Sequence, residues 1–472
     1  MLRTLSLAGL LLALCPLVSL AAQDTRFDVT RFGSFGADVA ANTAVIQKAV
    51  DACAAAGGGT VFVPGGLHVV VGSIVLRSHV DLHLGRGAVL KASPNVADFT
   101  ATVPYPVTTE PGQVAPPTGV VIFADGADDV AISGAGTIDG NSPAYVVATG
   151  KEIDRAADNR PFTVLFRSCT RATLRDFTIH NAAFWTIRIL GCDDVRLSGL
   201  HIDNSLLMPN NDGIDIDWSS NVRISDCNIV SGDDCISLKT APQSCGITRP
   251  CENVVITGCT LKSRSSGIVV GCDVMGRIRN VVCSDCVIHD SHRGVSVRLS
   301  MEGSIEHVLF SNMQIQTRLY DPAWWGRGTP IDIVDAPWNA AHCTGVIRDI
   351  RFSNLSCRGE NGVVVYGSSP GLVEGIAFDH VSITLDKTTA YAGGREDFRP
   401  TVGDAMPEMP YSGFLLRNAA GVEIRDCSVA WGAHRPAYYR YAIDAEHCPD
   451  LKIEGFSGHS ADPDRWPAQF IR

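Results

Sequence analysis

Short stretches of alternating apolar and polar residues recur along the chain from residue 128 onward. Each has the approximate form V-x-I, follows an Asn, Asp, His or Gly, and is too short to form a helix. Successive anchor positions from Val195 to Val308 are separated by 27, 32, 27 and 27 residues. An interval of this size, filled with short strands and polar corners, predicts a β-solenoid in which each repeat forms one coil. The anchors used are Val130, Val195, Val222, Val254, Val281, Val308, Ile350, Ile376, Val422 and Leu451.

One segment, residues 42–56, has helical rather than strand periodicity. We expect a helix here that begins at Asn42 or Thr43 and ends at the glycines 57–59. An open end of a solenoid exposes strand edges and apolar core, so this helix is expected to cover the first coil. Its apolar face consists of Val45, Ile46, Ala49, Val50 and Cys53.

Three segments interrupt the repeat: residues 139–160, 316–346 and 384–414, which are rich in Pro, Tyr, Trp and charged residues. Loops of this length are usually functional, and we expect these to leave the solenoid and wall a cleft. Trp325 offers a ring on which a sugar can stack, although packing against the solenoid is an equally open interpretation. Trp185 is interpreted as a packing residue.

The composition is that of a folded, turn-rich protein. The 472 residues include 45 glycines, 45% are hydrophobic and 19% are charged. Repeat folds grow without a domain break, so residues 23–472 are expected to form a single domain and to act as a monomer. The net charge of −11 argues against a nucleic-acid partner, but an acidic polysaccharide remains compatible because a local basic groove can lie on an acidic protein.

Residues 1–22 have the features of a secretory signal peptide. Arg3 supplies the positive start, an apolar stretch follows to Leu20, and small residues precede a cleavage site after Ala21 or Ala22. The short length and Pro16 argue against a permanent membrane anchor. We therefore expect a secreted or periplasmic protein.

Sixteen cysteines leave two interpretations open. Export permits disulfides, and Cys245 with Cys251 is the best candidate pair. Alternatively, cysteines at equivalent repeat positions form a reduced interior column, because free Cys packs as a small apolar residue. These positions are Cys227, Cys259, Cys286 and Cys427. No zinc-like cysteine spacing is present, and neither a metal nor a cofactor is expected.

The candidate chemistry lies in two acidic clusters, NNDGID at residues 210–215 and GDD at residues 232–234. Asp233 follows Asp212 by 21 residues, about one coil of a solenoid. At the strand spacing of roughly 4.8 Å, Asp212 would lie beside Asp233 and Asp234 on the next coil. Glycoside hydrolysis needs such a patch, with one carboxyl to protonate the leaving oxygen and another to activate water. The alternative is that these residues cap their own turns.

These motifs resemble those of glycoside hydrolase family 28, the polygalacturonase family of right-handed parallel β-helices. NNDGIDID is similar to the family's Asn-Thr/Asn-Asp motif, and SGDDCISLK contains its Gly-Asp-Asp motif. The resemblance implies an all-β, single-stranded parallel β-helix that hydrolyses a pectin-type polysaccharide or oligosaccharide with inversion. It also implies that Asp233 is the general acid, that Asp212 and Asp234 activate water, and that Asn210 orients the group. Carboxylates of inverting enzymes are expected to lie roughly 6.5–9.5 Å apart.

Two further family motifs are altered. The family's Gly-His-Gly corresponds here to Ser265-Ser266-Gly267, so Ser266 replaces the histidine. The family's Arg-Ile-Lys corresponds to Ser296-Val297-Arg298, so only Arg298 keeps a cation. The resemblance assigns both positions to substrate binding, and Arg298 can make a bidentate contact with a carboxylate.

Other residues are candidates to compensate for these changes. Arg293 and Arg264 are nearby cations. His292 and His289 are interpreted as ordinary surface residues, and the alternative is that one of them replaces the imidazole of the motif's histidine. The substrate is therefore expected to differ from galacturonan, and the long loops favour an exo-acting pocket. Two alternatives remain: a polysaccharide lyase or epimerase, and a non-catalytic carbohydrate-binding solenoid.

Overall fold

The structure, a computed structural model, describes residues 25–104, 117–243, 245–339 and 344–472. The chain forms a right-handed parallel β-helix, as expected. Most coils contribute one strand to each of three parallel ladders, and strand pairing extends from Arg26 to Ile471. The proposed signal peptide lies outside the described residues. No helix among those that are described is long and apolar enough to cross a membrane.

The first ladder contains Arg26–Asp28, Gly59–Val63, Val80–Leu84, Ala131–Gly134, Thr170–Arg175, Asp193–Ser198, Ser220–Ser225, Cys251–Thr257, Arg277–Ser284, Ala419–Ala420, Glu423–Arg425 and Lys452–Glu454. The second contains His68–Val71, Val89–Ala92, Thr137–Asp139, Thr178–His180, His201–Asp203, Asn228–Ser231, Thr260–Ser263, Val287–Ser291, Ser428–Trp431 and Ser457–Gly458. Three long strands pass through both ladders, namely Ser304–Thr317, Val346–Gly359 and Val373–Leu385.

The third ladder forms a separate sheet that carries the candidate site. Its strands are Ile74–Leu76, Pro117–Asp125, Phe162–Arg167, Ile187–Leu190, Ile214–Asp217, Ile236–Thr240, Ser266–Val274, Arg293–Leu299, Thr329–Asp335, Val363–Gly367, Phe414–Arg417, Ile443–Glu446 and Gln469–Ile471. Smaller elements are the antiparallel strands Thr102–Pro104, Val146–Ala148 and Arg155–Ala156, and the 3-10 helices Val29–Arg31, Val96–Asp98 and Ser142–Tyr145.

The repeated apolar anchors stack in register inside the solenoid. Val195 pairs with Val222, and the series continues through Val254, Val281, Val308, Ile350 and Ile376. An adjacent inward column, two residues further along each strand, contains Phe310, Phe352 and Phe378 in later coils, and their ring centroids are 5.2 and 5.1 Å apart. Inward positions are thus apolar because each must pack against its equivalent on the neighbouring coils.

Polar corners permit the sharp turns between strands. Asn221, Asn253 and Asn280 have φ of 57°, 59° and 56°, in the left-handed region that Asn tolerates better than most residues. Their side chains also hydrogen-bond in series, with Nδ2 to Oδ1 distances of 3.1 Å at both steps. The Asn and Asp residues that precede the anchors therefore have a conformational role.

The cysteines favour the reduced column over the disulfide. None of the cysteines in the described ranges forms a disulfide, and Cys251 is fully buried with its thiol directed to the carbonyl of Ile216. The predicted Cys245–Cys251 bond is therefore not formed. Cys227, Cys259 and Cys286 are buried on successive coils, where thiol–thiol hydrogen bonds lower the pKa of Cys227 and raise that of Cys286.

The amino-terminal helix is present, but it begins earlier than expected. It spans Val39–Ala55, and Asp38 accepts a hydrogen bond from the backbone N–H of Ala41 at 3.0 Å. Asn42, one of the two expected caps, is instead buried, and its side chain bonds the backbone of Gly36 and Val70. The apolar face packs against the first strands of the solenoid.

The three interrupting segments meet beside the third ladder. The carbonyl of Glu152 accepts hydrogen bonds from Trp324 Nε1 at 2.8 Å and from Arg264 Nη1 at 2.7 Å. Its carboxylate accepts one from the Tyr391 hydroxyl at 2.8 Å. Segments 139–160, 316–346 and 384–414 are therefore tied together at one residue, which supports the expectation that they form a wall.

Candidate active site

The two acidic clusters lie on adjacent coils, at the starts of paired strands. Asp212 precedes Ile214–Asp217, and Asp233 and Asp234 precede Ile236–Thr240, with Ile214 in register with Ile236. Carboxylate oxygens of the three residues lie within 4.8 Å of one another. The separation of one coil between Asp212 and the aspartate pair is confirmed.

Asn211 holds the two clusters together. Its Oδ1 accepts hydrogen bonds from the backbone N–H groups of Gly232 and Asp233, at 2.8 and 3.1 Å. A Cβ at position 232 would lie 2.4 Å from the carbonyl oxygen of Met208, so only glycine fits this approach between coils. The sequence analysis assigned no role to Asn211.

Asp233 and Asp234 have different hydrogen-bond partners. Asp234 Oδ1 accepts from Ser265 Oγ at 2.7 Å and from the backbone N–H of Ser266 at 2.9 Å, both on the next coil. Asp233 accepts only backbone donors, from Asp234 at 3.1 Å and from Asn210 at 3.3 Å. The following coil therefore holds the carboxylate of Asp234 in place.

Burial and mutual repulsion favour protonation of the neighbouring carboxyl groups. Burial and then the charge of Asp234 raise the pKa of Asp233 to about 6. Burial, with the charges of Asp215 and Asp233, raises the pKa of Asp212 well above its usual range. Asp212 Oδ1 is also buried without a hydrogen-bond partner among the described residues. The trio therefore contains both proton donors and a hydrogen-bonded carboxylate, as acid–base catalysis requires.

These carboxylates open into a cavity of about 200 Å³ between the third ladder and the long loops. Its floor is acidic, and its walls combine aromatic rings with cations. The lining residues are Trp185, Asn210, Asp212, Asp233, Asp234, Lys239, Ser265, Val269, Cys272, Asp273, Arg293, Arg298, Trp325, Trp338, Arg399 and Pro400. The nearest carboxylate oxygens of the trio lie within 4.8 Å of one another, closer than the roughly 6.5–9.5 Å expected for inversion, so the expected spacing is not found.

Lys239 was not identified from the sequence. It lies on the strand that follows the aspartate pair, 3.5 Å from Asp273, with its ammonium 5.2 Å from the centroid of Trp185. Burial alone would lower its pKa, but Asp273, Asp215 and Asp212 together raise it well above the usual value. Strand alternation contained the signal, because Ile236 and Leu238 face the core and Lys239 must then face outward.

The predicted substrate-binding arginines line the cavity but already have carboxylate partners. Arg298 forms an ion pair with Asp332 through Nη1, and Nη2 donates to the backbone carbonyls of Asp397 and Arg399. Arg293 lies 3.1 Å from Asp397 and 3.5 Å from Asp332. Burial opposes ionisation of Asp397, but the surrounding guanidinium groups hold its pKa far below the usual range.

Asn210 and Ser266, predicted to bind substrate, contact the clustered aspartates. Asn210 lines the cavity, its N–H donates to Asp233, and its Oδ1 accepts from Arg160 at 2.9 Å. Ser266 differs from the prediction, because it is fully buried and does not line the cavity. Its backbone N–H holds Asp234, and the adjacent Ser265 presents its hydroxyl to the cavity instead.

Of the candidate compensating residues, Arg293 lines the cavity, whereas Arg264, His289 and His292 do not. His292 is fully buried rather than at the surface, and its ring meets Tyr320 edge-on at 5.6 Å. Burial lowers its pKa well below the usual value. His289 lies 3.7 Å from Asp290, away from the lining, and Arg264 binds Glu152. The site thus contains no imidazole among the residues that line it.

Both tryptophans considered earlier face the cavity. Trp325 lines it, and the guanidinium of Arg399 lies 5.0 Å from the centroid of its ring. Trp185 combines both roles: its indole packs against Phe162 and Phe184, yet it also contributes to the cavity wall. Trp338, Arg399 and Asp273 were missed, and the first two lie on loops whose paths alternation does not predict.

Within the part of the chain that the structure describes, two groups of side chains have the geometry to supply three metal ligands. One is the trio of Asp212, Asp233 and Asp234, and the other is the corner group of Asp379, His380 and Asp426. A cation at the trio would compete with the protons that Asp212 and Asp233 favour. The corner group lies on the solenoid side, where ion pairs between neighbouring polar residues are common.

The family model described as glycosyl hydrolases family 28 matches residues 89–392. A "Probable polygalacturonase" of Vitis vinifera is 30% identical over 256 residues, 52% of each chain. The "Exo-poly-alpha-D-galacturonosidase" of Dickeya chrysanthemi is 27% identical over 253 residues, 44% of this chain and 41% of its own. The matched region spans about half the length of these curated relatives.

Two solved structures share the fold. An exopolygalacturonase from Thermotoga maritima has 20% identity and a TM-score of 0.64, over 77% of this chain and 87% of its own. A family 28 exopolygalacturonase from Yersinia enterocolitica has 17% identity and a TM-score of 0.63, over 91% of this chain and 78% of its own. At these identities the likeness establishes the parallel β-helix alone.

Proposed function

The chain belongs to glycosyl hydrolases family 28, and from this premise we propose that it hydrolyses O-glycosidic bonds in a pectin-type polysaccharide or oligosaccharide. The observation that carries the proposal is the trio of carboxylates within 4.8 Å at the base of a cavity. Carbohydrate binding alone does not need clustered acids at one position, whereas acid–base hydrolysis requires at least two. The names of the relatives, which include polygalacturonases, support the pectic substrate class.

Asp233 acts as the general acid in this proposal. It gives its proton to the glycosidic oxygen while the bond from that oxygen to the anomeric carbon breaks. A pKa of about 6 leaves Asp233 substantially protonated in mildly acidic solution, and its backbone bonds fix the carboxyl beside Asp234. Asn210 is a positioning residue, since its N–H contacts Asp233.

Asp234 and Asp212 act on the water in a single displacement. The water oxygen forms the new bond to the anomeric carbon, and its proton passes to Asp234, which Ser265 and Ser266 hold in place by hydrogen bonds. Burial and the neighbouring carboxylates raise the pKa of Asp212 well above its usual range, and its carboxyl group holds the water by hydrogen bonding. The family resemblance implies that Asp212 and Asp234 both activate the water. In this proposal Asp234 is the residue that accepts its proton.

The oligomeric state, the location and the mode of action can be proposed from the substrate class and the cavity. We expect the protein to act as a monomer, because an elongated repeat fold needs no partner chain to form its coils. A pectic substrate is extracellular, and the apolar segment after Arg3 is consistent with a secreted or periplasmic protein. The cavity is below the roughly 300–1,000 Å³ typical of small-molecule sites, which favours removal of single units from a chain end.

Replacement of Asp233 by Asn tests the proposed function. We expect kcat to fall by at least about 100-fold on the pectic substrate that the wild-type protein cleaves best, because the general acid is lost. The measurement is reducing-sugar release from a panel of pectic oligosaccharides.

The matched control is Asp203→Asn, an exposed aspartate on the second ladder, which should retain wild-type activity. Unchanged turnover in Asp233→Asn would contradict the assignment. Absence of hydrolysis by the wild-type protein on every pectic substrate would contradict the function itself.

A further inference from the structure

The charges that line the cavity are paired within the protein. Four cations reach it, and each has a carboxylate partner: Lys239 has Asp273, Arg298 has Asp332, and Arg293 and Arg399 share Asp397. Arg399 makes a bidentate contact with Asp397, with Nε 2.8 Å from Oδ1 and Nη2 2.9 Å from Oδ2. These partners are themselves buried or nearly buried, so solvent screens the pairs only weakly.

The balance of charge in the cavity is therefore zero or negative. The four cations face six carboxylates, namely Asp212, Asp233, Asp234, Asp273, Asp332 and Asp397. If Asp212 and Asp233 both carry protons, four negative charges oppose four positive charges. If either of them ionises, the described residues around the cavity carry a net negative charge. Neither state offers an excess positive charge to a substrate.

The position of Asp332 accounts for much of this balance. Ser296, which stands where the family motif has arginine, is fully buried and pairs in register with Asp332 on the following coil. Asp332 binds Arg298, the remaining cation of that motif, and also contacts Arg293. The chain thus has one cation fewer than the motif and a carboxylate directed at the cation that remains.

A free uronate would bind poorly in such a cavity. Transfer of its carboxylate from water is costly unless unpaired donors replace its hydration, and here the guanidinium groups are already bonded to Asp332, Asp397 and backbone carbonyls. An uncharged ring meets no such cost. Its C–H faces can pack on Trp185, Trp325 and Trp338, while its hydroxyls bond the carboxylates and cations at the edge.

We propose that the sugar bound beside Arg298 is uncharged, either a neutral glycosyl unit or an esterified uronate, and not a free uronate. This inference rests on the proposed glycoside hydrolase function and specifies its substrate class. It departs from the substrate implied by the names of the polygalacturonase relatives, and it follows from the ion pairs of Arg298, Arg293 and Lys239.

The test is a binding comparison that does not depend on turnover. Asp233→Asn protein is titrated calorimetrically with galactose, methyl galacturonate and sodium galacturonate, at one pH and ionic strength. We expect the two neutral sugars to bind at least about tenfold more tightly than the free acid. Equal or tighter binding of galacturonate would overturn the proposal, as would no detectable binding of either neutral sugar.

A second variant examines the cause. Asp332→Asn removes the carboxylate partner of Arg298, so we expect its affinity for galacturonate to rise by about tenfold while the affinity for galactose changes little. Asp203→Asn should leave the preference unchanged. If galacturonate affinity in a folded Asp332→Asn protein does not rise, the ion pair is not the cause and the proposal fails.

Failure of the proposed function remains distinguishable from failure of this inference. Wild-type hydrolysis of a pectic substrate, lost in Asp233→Asn, establishes the function whichever sugar binds best. A preference for galacturonate together with such hydrolysis would reject only the uncharged substrate. If Asp332→Asn does not fold, the comparison of the three sugars still decides the proposal.

Discussion

Asp233 and Asp234 are consecutive residues whose carboxylates have opposite surroundings. The next coil supplies Asp234 with two hydrogen bonds, from Ser265 and Ser266, whereas Asp233 receives only backbone donors from its own coil and the one before. Asp233 is also the more deeply buried of the two, and burial with the charge of Asp234 raises its pKa to about 6. The neighbouring coils thus give two residues of the same type different surroundings.

The pH dependence of catalysis should reflect the carboxyl of Asp233. Burial and the charge of Asp234 raise its pKa to about 6, and a general acid must be protonated to act. We therefore expect kcat/KM to decline as the pH rises through about 6, with a tenfold loss per pH unit beyond it. Initial rates measured between pH 4 and 8 check this, and a constant rate up to pH 8 would contradict it.

Asp215 should make stability depend on pH. It is fully buried, both its carboxylate oxygens lack hydrogen-bond partners in the described chain, and burial raises its pKa to about 8 despite Lys239 and Arg188. A folded-state pKa above the unfolded value of about 3.9 means that the folded protein binds the proton more tightly. The contribution of Asp215 to stability therefore falls as the pH rises from about 4 to about 8.

Asp215→Asn removes this dependence. We expect its Tm relative to wild type to be higher at pH 8 than at pH 5, since only wild type loses the contribution of Asp215 between these values. Asp203→Asn should show the same Tm difference from wild type at both values. A relative Tm of Asp215→Asn that falls with pH would contradict the interpretation.

At the residue scale, the spacing of the acidic motifs predicted that the three aspartates lie together. It did not predict which other side chains are buried around them. Asp212 and Asp233 could be placed together because their spacing matches one coil. The burial of His292 could not be predicted, because the chain returns about thirty residues later to cover it: a Cβ on Gly326 would lie 3.1 Å from the ring carbon Cγ of His292. Ser266 was misjudged for a related reason, since the tight turn at Ser265 decides which serine faces the cavity.

At the element scale, the start of the amino-terminal helix was predicted four residues too late. The apolar face of residues 45–53 was evident from the sequence, but Asn42 and Asp38 are both acceptable caps. Asn42 is used in tertiary contacts with Gly36 and Val70, which only the folded coil supplies. Local preference therefore defined the helix, and packing decided its first residue.

Asp38→Ala should destabilise this helix. Loss of the hydrogen bond to the Ala41 N–H is expected to lower the free energy of unfolding by about 1 kcal/mol. Asp38→Ser should recover most of that loss, because serine is also a good cap. Urea denaturation followed by circular dichroism measures both, and equal stability of the alanine and serine variants would contradict a capping role.

At the scale of the whole molecule, the repeat predicted the solenoid, while the loops required the structure. In-register stacking from Val195 to Ile376 follows from apolar anchors at regular intervals. The convergence of segments 139–160, 316–346 and 384–414 on Glu152 depends on single long-range contacts that have no periodic signal. Their composition indicated a wall, but not which residues would face the cavity.

Glu152→Ala should loosen this wall. It removes the acceptor of the Tyr391 hydroxyl and the carboxylate 3.6 Å from Arg264, so the closed end of the cavity is expected to admit longer chains. On the best substrate, wild type should release single units first, and the variant should give a larger early share of intermediate oligomers.

Chromatography of early products measures this share. Lys151→Ala changes the adjacent, exposed side chain and serves as the control, with a wild-type product pattern expected. Intermediate oligomers from wild type at the earliest times would contradict the exo-acting pocket. An unchanged pattern in Glu152→Ala would show that this contact does not close it.

The coil that joins the two acidic clusters is short. Ile236 follows its in-register partner Ile214 by 22 residues, the shortest such interval in the third ladder of the described chain, whereas Phe414 follows Val363 by 51. Insertions during divergence can therefore accumulate in the longer coil and reshape the mouth of the cavity. A single residue inserted between Asp217 and Gly232 would displace Asp233 and Asp234 relative to Asp212. Engineering of a new substrate specificity on this scaffold should therefore leave residues 217–232 unchanged.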